Sequence, residues 1–428
     1  MIAAIMIVVG GGQDAPGPTW SADIRPIIAA RCQECHTPSG IGPFSLVGYD
    51  DVTSRATFLV EVIEAGLMPP WLPDETDVPL RHKREVTAEE VAVIKAWIAA
   101  GKPRGSDTVG PPLLPTPTPS PVTASRSITM TEPWLAPAEG WDAWHSGTRD
   151  VWSFVTAVGN TEELFVRGVS YQASSPQVVD SVAFVADDTG RLRTIDRRDD
   201  VVGHQQVGDN GWEPAGALGV AGAGGDSFVL PKGFSFRLPP RCDLGTQLHF
   251  RPSGREQRVQ DTAVLELGES TDREVVTLLS MIREVRMSAG EIVMAHDGMI
   301  VPVACEIVAV TPRGGPWCAA MSLVVDNEDG TRRVLSISEF DSHYRQTYVL
   351  QSPLAVSEGD VIHGGWAFDN TAANPRNLHS PPIDLQFGRR TGVGAFILHV
   401  AAVDPAQTQL LRDENVKMIK QRQRSTNR

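Results

Sequence analysis

The chain has 428 residues, of which 41% are hydrophobic and 21% are charged. This composition is that of a globular protein and excludes disorder along the whole chain. The formal net charge of −14 argues against nucleic acid as a partner, since phosphate binding needs a basic surface. At about 150 residues per domain, the length predicts two to four domains.

The amino end is apolar but short. Residues 1–9 read MIAAIMIVV and are followed by glycines, whereas a helix needs about 20 apolar residues to span a bilayer. Two interpretations of residues 1–16 remain open: the tail of an export signal whose start lies upstream, or a disordered terminus. No later segment of the sequence is long and apolar enough to cross a membrane.

Residues 32–36 read Cys-Gln-Glu-Cys-His, the C-x-x-C-H spacing of a c-type haem attachment site. Two thiols one helical turn apart can both reach the vinyl groups of a porphyrin, and the adjacent imidazole then faces the iron. Composition alone predicts on the order of 0.001 such matches in this chain. A redox C-x-x-C or half a zinc site is the alternative, but neither explains His36, and the sequence has no second C-x-x-C. We therefore predict one haem c, tethered by Cys32 and Cys35, with His36 as the proximal iron ligand.

Helices flank this motif in the predicted secondary structure. A short helix over Ser21–Ala30 leads into it, and Pro26 is tolerated only near its first turn. Thr87-Ala88-Glu89-Glu90 is a capping box that opens a helix through Ala100, and Gly101 ends it. One helix before the motif and an amphipathic closing helix resemble a small all-α class I cytochrome c over residues 17–105.

The iron of such a domain needs a sixth ligand. Met68 is the first choice, because the following Pro69 and Pro70 stiffen the loop that would press its thioether onto the iron. A core role for Met68 and a ligand role for His82 are the alternatives. The string Met-Pro-Pro-Trp is similar to that of bacterial cytochrome modules fused to copper monooxygenase-like domains. A c-type haem is assembled outside the cytoplasm, which favours a periplasmic or otherwise exported protein.

The rest of the chain is predicted to be β-rich. Short apolar runs punctuated by Gly, Pro, Asp and Asn indicate antiparallel sandwiches, and two of about 140 residues fit better than one. The predicted organisation after the first domain is a Pro-rich linker over 106–125, sandwiches over 126–280 and 281–404, and a basic, solvated or anchoring tail over 405–428.

The β body resembles the copper type II, ascorbate-dependent monooxygenases, the peptidylglycine monooxygenase-like family. The resemblance is carried by Leu248-His249-Phe250-Arg251-Pro252-Ser253-Gly254, by Phe368-Asp369-Asn370-Thr371-Ala372-Ala373-Asn374-Pro375, and by shorter strings in family order. It implies a body of two packed jelly rolls. It also implies that His249 stands where the family has a strand histidine that binds the first copper.

The departures from the family pattern concern the copper ligands themselves. Asp180-Ser181 stands where a His-His pair is expected, and Arg313 and Gly315 stand where a His-x-His pair is expected. Gly394-Ala395 occupies the place of the methionine ligand. His249 is thus the one expected ligand that remains, and a single imidazole does not hold copper. We therefore predict that copper is absent and that the position of His249 is empty.

Three cysteines remain outside the haem motif. One disulfide and one free thiol are plausible in an exported protein, and Cys305 and Cys318 could face each other across a hairpin. Cys242 would then be the free thiol. Sequence alone does not fix this pairing.

The combined prediction is an exported electron-transfer protein. Its haem c would pass single electrons to redox protein partners, and its β body, having lost copper catalysis, would serve as a docking or scaffold module. Two alternatives stay open. The chain could be an active copper monooxygenase that receives electrons from its own haem domain, or a relay subunit of a larger, membrane-associated redox complex.

Overall fold

The structure, a computed structural model, describes residues 17–38, 40–106, 124–139, 151–198, 200–205, 216–222, 228–282, 284–387 and 394–425. The predicted leader over 1–16 and nearly all of the predicted linker lie outside these residues. The chain divides into two compact units. The first comprises residues 1–38, 42–71 and 84–119, and the second comprises residues 39–41, 72–83 and 120–428.

In the described residues of the first unit, all regular secondary structure is helical. It contains a π-helical turn, Trp20–Ile24, and four α-helices: α1 Arg25–Arg31, α2 Tyr49–Thr53, α3 Ala56–Glu64 and α4 Ala88–Ala99. The helix predicted over Ser21–Ala30 is confirmed, with a π-turn in its first half. Pro26 lies in the first turn of α1, where its missing N–H breaks no helical hydrogen bond.

The capping box of α4 is confirmed. Thr87 Oγ1 accepts a hydrogen bond from the Glu90 amide at 3.2 Å, and the Glu90 carboxylate accepts one from the Thr87 amide at 2.9 Å. Trp97 on α4 is fully buried and packs 6.4 Å from both Trp20 and Tyr49, measured between ring centroids. Trp20 and Trp97 belong to the helical core, and Tyr49 is partly buried against it.

The second unit is mostly β, as predicted, and its described strands form several sheets. The strands of its first half are β1 Ser125–Thr129, β2 Trp134–Ala136, β3 Val151–Ala157, β4 Leu164–Gln172, β5 Val179–Asp187, β6 His204–Gln205, β7 Ala217–Ala221, β8 Phe228–Val229, β9 Phe234–Leu238, β10 Asp243–Phe250, β11 Gln257–Val259, β12 Thr262–Leu267 and β13 Arg273–Glu274. A short helix, α5 Arg191–Asp196, follows β5.

Two larger sheets of this half face each other. One runs β1-β12-β4-β9-β13, with β8 paired to β4, and the other runs β6-β3-β10-β5-β7. Tyr171 of β4 and Phe184 of β5 meet between them with ring centroids 6.0 Å apart. The strands pair antiparallel, apart from the short β9–β13 contact, and β10 lies between β3 and β5 at the centre of its sheet.

The second half repeats this arrangement with fewer strands. They are β14 Val276–Ile282, β15 Val285–Met287, β16 Ile292–Ile300, β17 Cys305–Gly314, β18 Cys318–Asn327, β19 Gly330–Ile337, β20 Tyr348–Val356, β21 Val361–Asp369, β22 Leu385–Phe387 and β23 Gly394–Ala402. The sheet β14-β23-β17-β20 faces the sheet β16-β21-β18-β19. Trp366 and Phe396 meet between them at 5.2 Å. Because β14 begins at Val276, this half starts before the boundary predicted at residue 280.

The predicted disulfide between Cys305 and Cys318 is wrong. None of the five cysteines, all within described residues, forms a disulfide. Strands β17 and β18 are consecutive but belong to different sheets, and Cys318 lies beside Gly314, at the far end of β17 from Cys305. Nine residue steps along a strand separate Cys305 from that end, about 30 Å at about 3.3 Å per step, whereas a disulfide needs its Cα atoms within about 7 Å.

Residues 72–83 belong to the β unit and not to the helical domain predicted over 17–105. The Asp74 amide donates to Ser336 O at 2.8 Å on β19, and the Arg81 amide donates to Val349 O at 2.8 Å on β20. Strands β19 and β20 are edge strands of the two facing sheets. Edge strands present unpaired backbone groups, and this proline-containing segment satisfies some of them.

The tail predicted as a solvated or anchoring segment is in part packed. Helix α6, Thr408–Ser425, buries Leu411 completely, and Arg412 forms an ion pair with Glu274. The basic residues that follow lie in its distal half. None of the helices described here combines the length and the apolar character that a bilayer span requires.

Candidate haem attachment site and the cleft around His249

The C-x-x-C-H segment folds as a tight turn at the end of α1. Cys32 caps the helix, and its amide donates to Ile28 O at 2.9 Å. The His36 amide then donates to Cys32 O at 2.9 Å, which closes one further turn. Helix and turn therefore present Cys32, Cys35 and His36 from one short segment, as the spacing predicts.

The His36 ring is held by a single hydrogen bond. Its Nδ1 donates to the backbone carbonyl of Phe44 at 2.9 Å, and the ring of Phe44 packs 4.8 Å from it between centroids. Because a carbonyl only accepts, this bond assigns the proton to Nδ1 and leaves the lone pair on Nε2. No described residue forms a hydrogen bond with that Nε2. A nitrogen fixed in this way is a suitable ligand for a metal.

Gly42 is needed where it lies. A Cβ atom there would stand 2.6 Å from Nδ1 of His36 and 3.0 Å from Cys35 O. The Gly42 amide also donates to Cys35 O at 2.9 Å. Neither Gly42 nor Phe44 was predicted from the sequence. The loop after a C-x-x-C-H motif carries no signal for either role, because each acts through close backbone approach.

The two thiols of the motif are partly exposed. Burial, with a contribution from neighbouring Cys35, raises the pKa of the Cys32 thiol to about 12. Cys32 is therefore protonated at neutral pH, and its own nucleophilicity is low.

Met68 lies in the loop that follows α3, in the helical unit. Its amide donates to Val62 O at 3.2 Å, and no described residue forms a hydrogen bond with its thioether. His82, the rival ligand, is exposed and belongs to the segment that joins the β unit. Three large apolar side chains of the helical unit are left exposed: Val47 at 39%, Phe58 at 51% and Leu67 at 63%.

His249, at the position that resembles a copper-binding histidine of the monooxygenases, lies on β10. In the sheet, His249 is opposite Val151 on β3 and Ser181 on β5. The register shifts after His249, because Phe250 is opposite Val179, and Asp180 is therefore left without a direct partner on β10. Asp180 pairs with Arg251 at 3.5 Å. Burial raises the pKa of Asp180, and the Arg251 charge opposes that rise.

The strands also bring the other family positions into this region. Arg313 on β17 is directly opposite Ala395 on β23, and Gly314 is opposite Gly394. Arg313 reaches across to β10, where its Nη2 donates to Gln247 Oε1 at 3.0 Å. Residues 180–181, 249, 313 and 394–395 are therefore neighbours in space, although the sequence separates them widely.

The nearest partner of His249 is an arginine that sequence analysis did not identify. Arg345, between β19 and β20, donates from Nη1 to Nδ1 of His249 at 2.6 Å and from Nη2 to Gly314 O at 3.2 Å. Burial, together with the charges of Arg345 and Arg313, lowers the pKa of His249 well below its usual value. His249 is thus neutral, with its Nδ1 lone pair engaged and its proton on Nε2.

No group of three or more His, Cys, Asp and Glu side chains placed to hold a metal ion occurs within the described ranges. His145 lies outside the described ranges. His399 is completely buried and shares a 3.0 Å hydrogen bond between Nε2 and Thr311 Oγ1.

No protein-family model matches this chain, and no curated protein is similar to it. Among solved structures, the major capsid protein P2 of bacteriophage PM2 is 9% identical, with a TM-score of 0.24 over 65% of this chain and 97% of that chain. The VP2 subviral particle of infectious bursal disease virus is 11% identical, with a TM-score of 0.15 over 67% and 82%. A xanthan lyase from Paenibacillus is 10% identical, with a TM-score of 0.15 over 67% and 27%. Likenesses this weak do not identify the fold or the function.

Proposed function

We propose that this chain is an exported c-type cytochrome that transfers single electrons through one covalently bound haem. The observation that carries the proposal is the state of His36. Its Nδ1 is fixed on the Phe44 carbonyl at 2.9 Å, its Nε2 has no partner among the described residues, and two thiols lie on the same turn. A structural histidine or a redox C-x-x-C pair has no need of such an arrangement.

The residues of the helical unit would hold the haem in distinct ways. Cys32 and Cys35 would form the thioether tethers, His36 Nε2 would be the proximal ligand, and Met68 the distal one. The bound haem supplies a one-electron couple, and a thioether ligand raises its potential. If His36 and Met68 both bound the iron, no position would remain for dioxygen, and outer-sphere electron transfer would be favoured over oxygen activation.

The surface of the helical unit supports this assignment. Side chains such as Phe58 and Leu67, exposed by 51% and 63%, leave apolar area in contact with water. Burial of apolar surface stabilises a protein by about 25 cal/mol per Å², and these exposed side chains do not gain that stabilisation. A porphyrin is a large apolar body that could cover surface of this kind. Leu67 directly precedes Met68, the proposed distal ligand.

We further propose that the β body does not perform copper chemistry. Copper sites need several imidazoles or a thioether. On β10, the Nδ1 lone pair of His249 accepts from Arg345, and Arg313 stands at a position where the family has an imidazole. Two guanidinium groups repel a cation. The body then serves as a docking or scaffold module for redox protein partners, which could belong to a membrane-associated complex.

The test is to produce the full chain with haem-maturation machinery, denature it, and measure the haem that stays bound to the polypeptide. We expect one haem and one iron per chain and no stoichiometric copper. In Cys32→Ala and Cys35→Ala, covalent retention should fall, whereas Cys242→Ala, which removes a buried thiol of the body, should retain the haem fully. Full retention in the double variant Cys32→Ala/Cys35→Ala would refute the attachment.

Elemental analysis of the same material tests the second half of the proposal. One or two copper ions per chain after dialysis against excess copper would overturn it and revive the copper monooxygenase. Reduction of the haem by a small-molecule donor and reoxidation by an acceptor protein, followed at the Soret band, would measure electron transfer directly. A haem that binds but does not cycle between its two states would contradict the proposed function.

A further inference from the structure

The segment over residues 72–83 leaves the helical unit and returns to it. It belongs to the β unit, whereas the residues on both sides of it belong to the helical unit. It begins shortly after Met68, the proposed distal ligand. It ends beside Arg84, which forms an ion pair at 3.5 Å with Glu34, a residue inside the C-x-x-C-H motif. The segment therefore connects the two parts of the helical unit that would hold the iron.

Two aspartates fasten this segment to β19 and to the residue that follows β19. The two oxygens of the Asp74 carboxylate accept hydrogen bonds at 2.8 Å from the Ser336 and Ser338 hydroxyl groups. The Asp77 carboxylate accepts one from the Arg333 amide at 2.7 Å. Hydrogen bonds to an ionised acceptor are stronger than those between neutral groups. Each carboxylate therefore reinforces the backbone pairing of the segment with the same strand.

The far end of the segment pairs with β20. The Gln351 amide donates to Pro79 O at 2.8 Å, and Leu80 forms a β-bridge with Leu350. Val78, which lies between the two attachments, is buried. Because the segment is held at two places on the β unit, its two ends are kept at a defined separation.

The attachment divides what would otherwise be one long loop. Residues 65–87, all of them described, join α3 to α4 without a helix or strand element of their own. Loops longer than about 12–15 residues without such elements are uncommon in compact domains, and ordering them costs entropy. Holding residues 72–83 on the β unit leaves only a short span between α3 and the first attachment, and Met68 lies in that span.

Prolines carry the constraint from the first attachment to the proposed ligand. Pro69, Pro70 and Pro73 lie between Met68 and Asp74, and a proline ring fixes φ at about −65°. A proline-rich stretch is semi-rigid over several residues. The position of Asp74 on β19 therefore restricts the position of Met68.

We propose that Asp74 is a positioning residue for the haem, because it holds the Met68 loop where the thioether can stay on the iron. This inference rests on the proposed function, and it gives the β body a part in setting the ligation of the haem. Asp77 is exposed and contributes less, since water competes for its hydrogen bond. Loss of the attachment frees the Met68 loop and lowers the reduction potential, because a thioether ligand stabilises the ferrous state.

The test measures how readily imidazole displaces the thioether from ferric haem in the full chain. Imidazole binds only when the Met68 loop has opened, so its apparent affinity rises with the open fraction. In Asp74→Ala we expect imidazole to bind at least about tenfold more tightly, the usual weight of one hydrogen bond to a charged group. The charge-transfer band of the thioether ligand should weaken. Asp74→Asn keeps a side-chain acceptor and should restore most of the difference.

Variants of the β unit test the same contact from its other side. Ser336→Ala/Ser338→Ala removes the two donors and should also raise the affinity for imidazole, although neither serine belongs to the helical unit. Combined with Asp74→Ala it should add little, since both variants remove the same hydrogen bonds. The matched control Asp326→Ala removes a 45% exposed carboxylate that accepts from Thr331 of β19. It should leave the affinity unchanged.

Hydrogen exchange gives a readout that does not depend on haem spectroscopy. The Met68 amide donates to Val62 O at 3.2 Å, and it should exchange about tenfold faster in Asp74→Ala that circular dichroism shows to be folded. Unchanged exchange, unchanged imidazole affinity in either folded variant, or an unmodified haem protein without the charge-transfer band would overturn the inference. An unmodified chain that retains no haem after denaturation would refute the proposed function, and the inference with it. Haem retention is measured first, which separates the two failures.

Discussion

Arg345 donates a hydrogen bond from Nη1 to Nδ1 of His249 at 2.6 Å, although 96 positions separate the two residues. An arginine cannot accept, so the imidazole must accept, and the histidine is held neutral by the very group that occupies its lone pair. The histidine at the position that resembles a copper ligand of the monooxygenases is therefore oriented by a cation.

The first prediction concerns the protonation of His249. Burial and the neighbouring positive charges lower its pKa well below the usual value of about 6.5. In nitrogen NMR spectra its ring should stay neutral at pH values just below about 6.5, where an ordinary histidine becomes protonated. Arg345→Met removes one of those charges, so the pKa should rise toward its usual value, whereas Arg286→Met should leave it unchanged. A His249 ring already protonated near pH 6 in the unmodified protein would contradict the assigned hydrogen bond.

The second prediction concerns Gly42. A Cβ at this position would lie 2.6 Å from Nδ1 of His36, so Gly42→Ala must displace the ring or the loop. We expect a loss of stability of about 1–3 kcal/mol. With haem bound, we also expect a ferric spectrum with a larger high-spin fraction, while covalent attachment through the cysteines persists. In Gly17→Ala, the new Cβ meets Ala100 at 4.0 Å, an ordinary contact, and neither change should appear.

The third prediction concerns the distal ligand. If Met68 binds the iron, Met68→Ala should abolish the charge-transfer band typical of thioether-ligated ferric haem. It should also lower the reduction potential, because a thioether stabilises the ferrous state. His82→Ala is the matched control, since His82 is exposed and was the competing candidate. A band that persists in Met68→Ala, or that is absent from the unmodified protein, would refute Met68 as the distal ligand.

The fourth prediction concerns acid stability. Burial lowers the pKa of His399 to about 3, so between that value and about 6.5 the unfolded chain binds a proton that the folded chain does not. Stability is therefore complete above about pH 6.5 and falls as the pH decreases, by up to about 1.4 kcal/mol per pH unit. Urea unfolding at pH 7.5 and 5 should show a smaller difference for His399→Gln than for the unmodified protein. His363→Gln, at a 48% exposed site, should keep the full difference.

The fifth prediction concerns the cap of α4. Thr87→Ala removes the side-chain acceptor for the Glu90 amide and should destabilise the helical unit by about 1 kcal/mol. Thr87→Ser retains a hydroxyl and should restore most of the loss. Denaturant unfolding, followed by circular dichroism at a wavelength where helices dominate the signal, measures both effects. Equal stability of all three proteins would mean that the cap adds nothing beyond tertiary packing.

Local patterns in the sequence predicted the local structure well. The capping box at Thr87, the helix before Cys32 and the mostly β character of the body depend on residues within a few positions of one another. The same reasoning failed for Cys305 and Cys318. Two strands joined by a three-residue connection look like a hairpin in sequence, yet the chain crosses from one sheet to the facing one. Whether two consecutive strands pair as a hairpin or join facing sheets depends on the neighbours that each strand finds in the folded protein.

The sequence by itself determined that Cys32, Cys35 and His36 lie together on one turn, because residues three or four positions apart are neighbours on a helical turn. Only the tertiary structure decided which carbonyl fixes the His36 ring, which arginine engages His249, and which unit residues 72–83 join. Those contacts arise where loops meet or where strand edges lack partners. Their geometry follows from packing, register and pairing across long stretches of chain, and short-range patterns do not contain it.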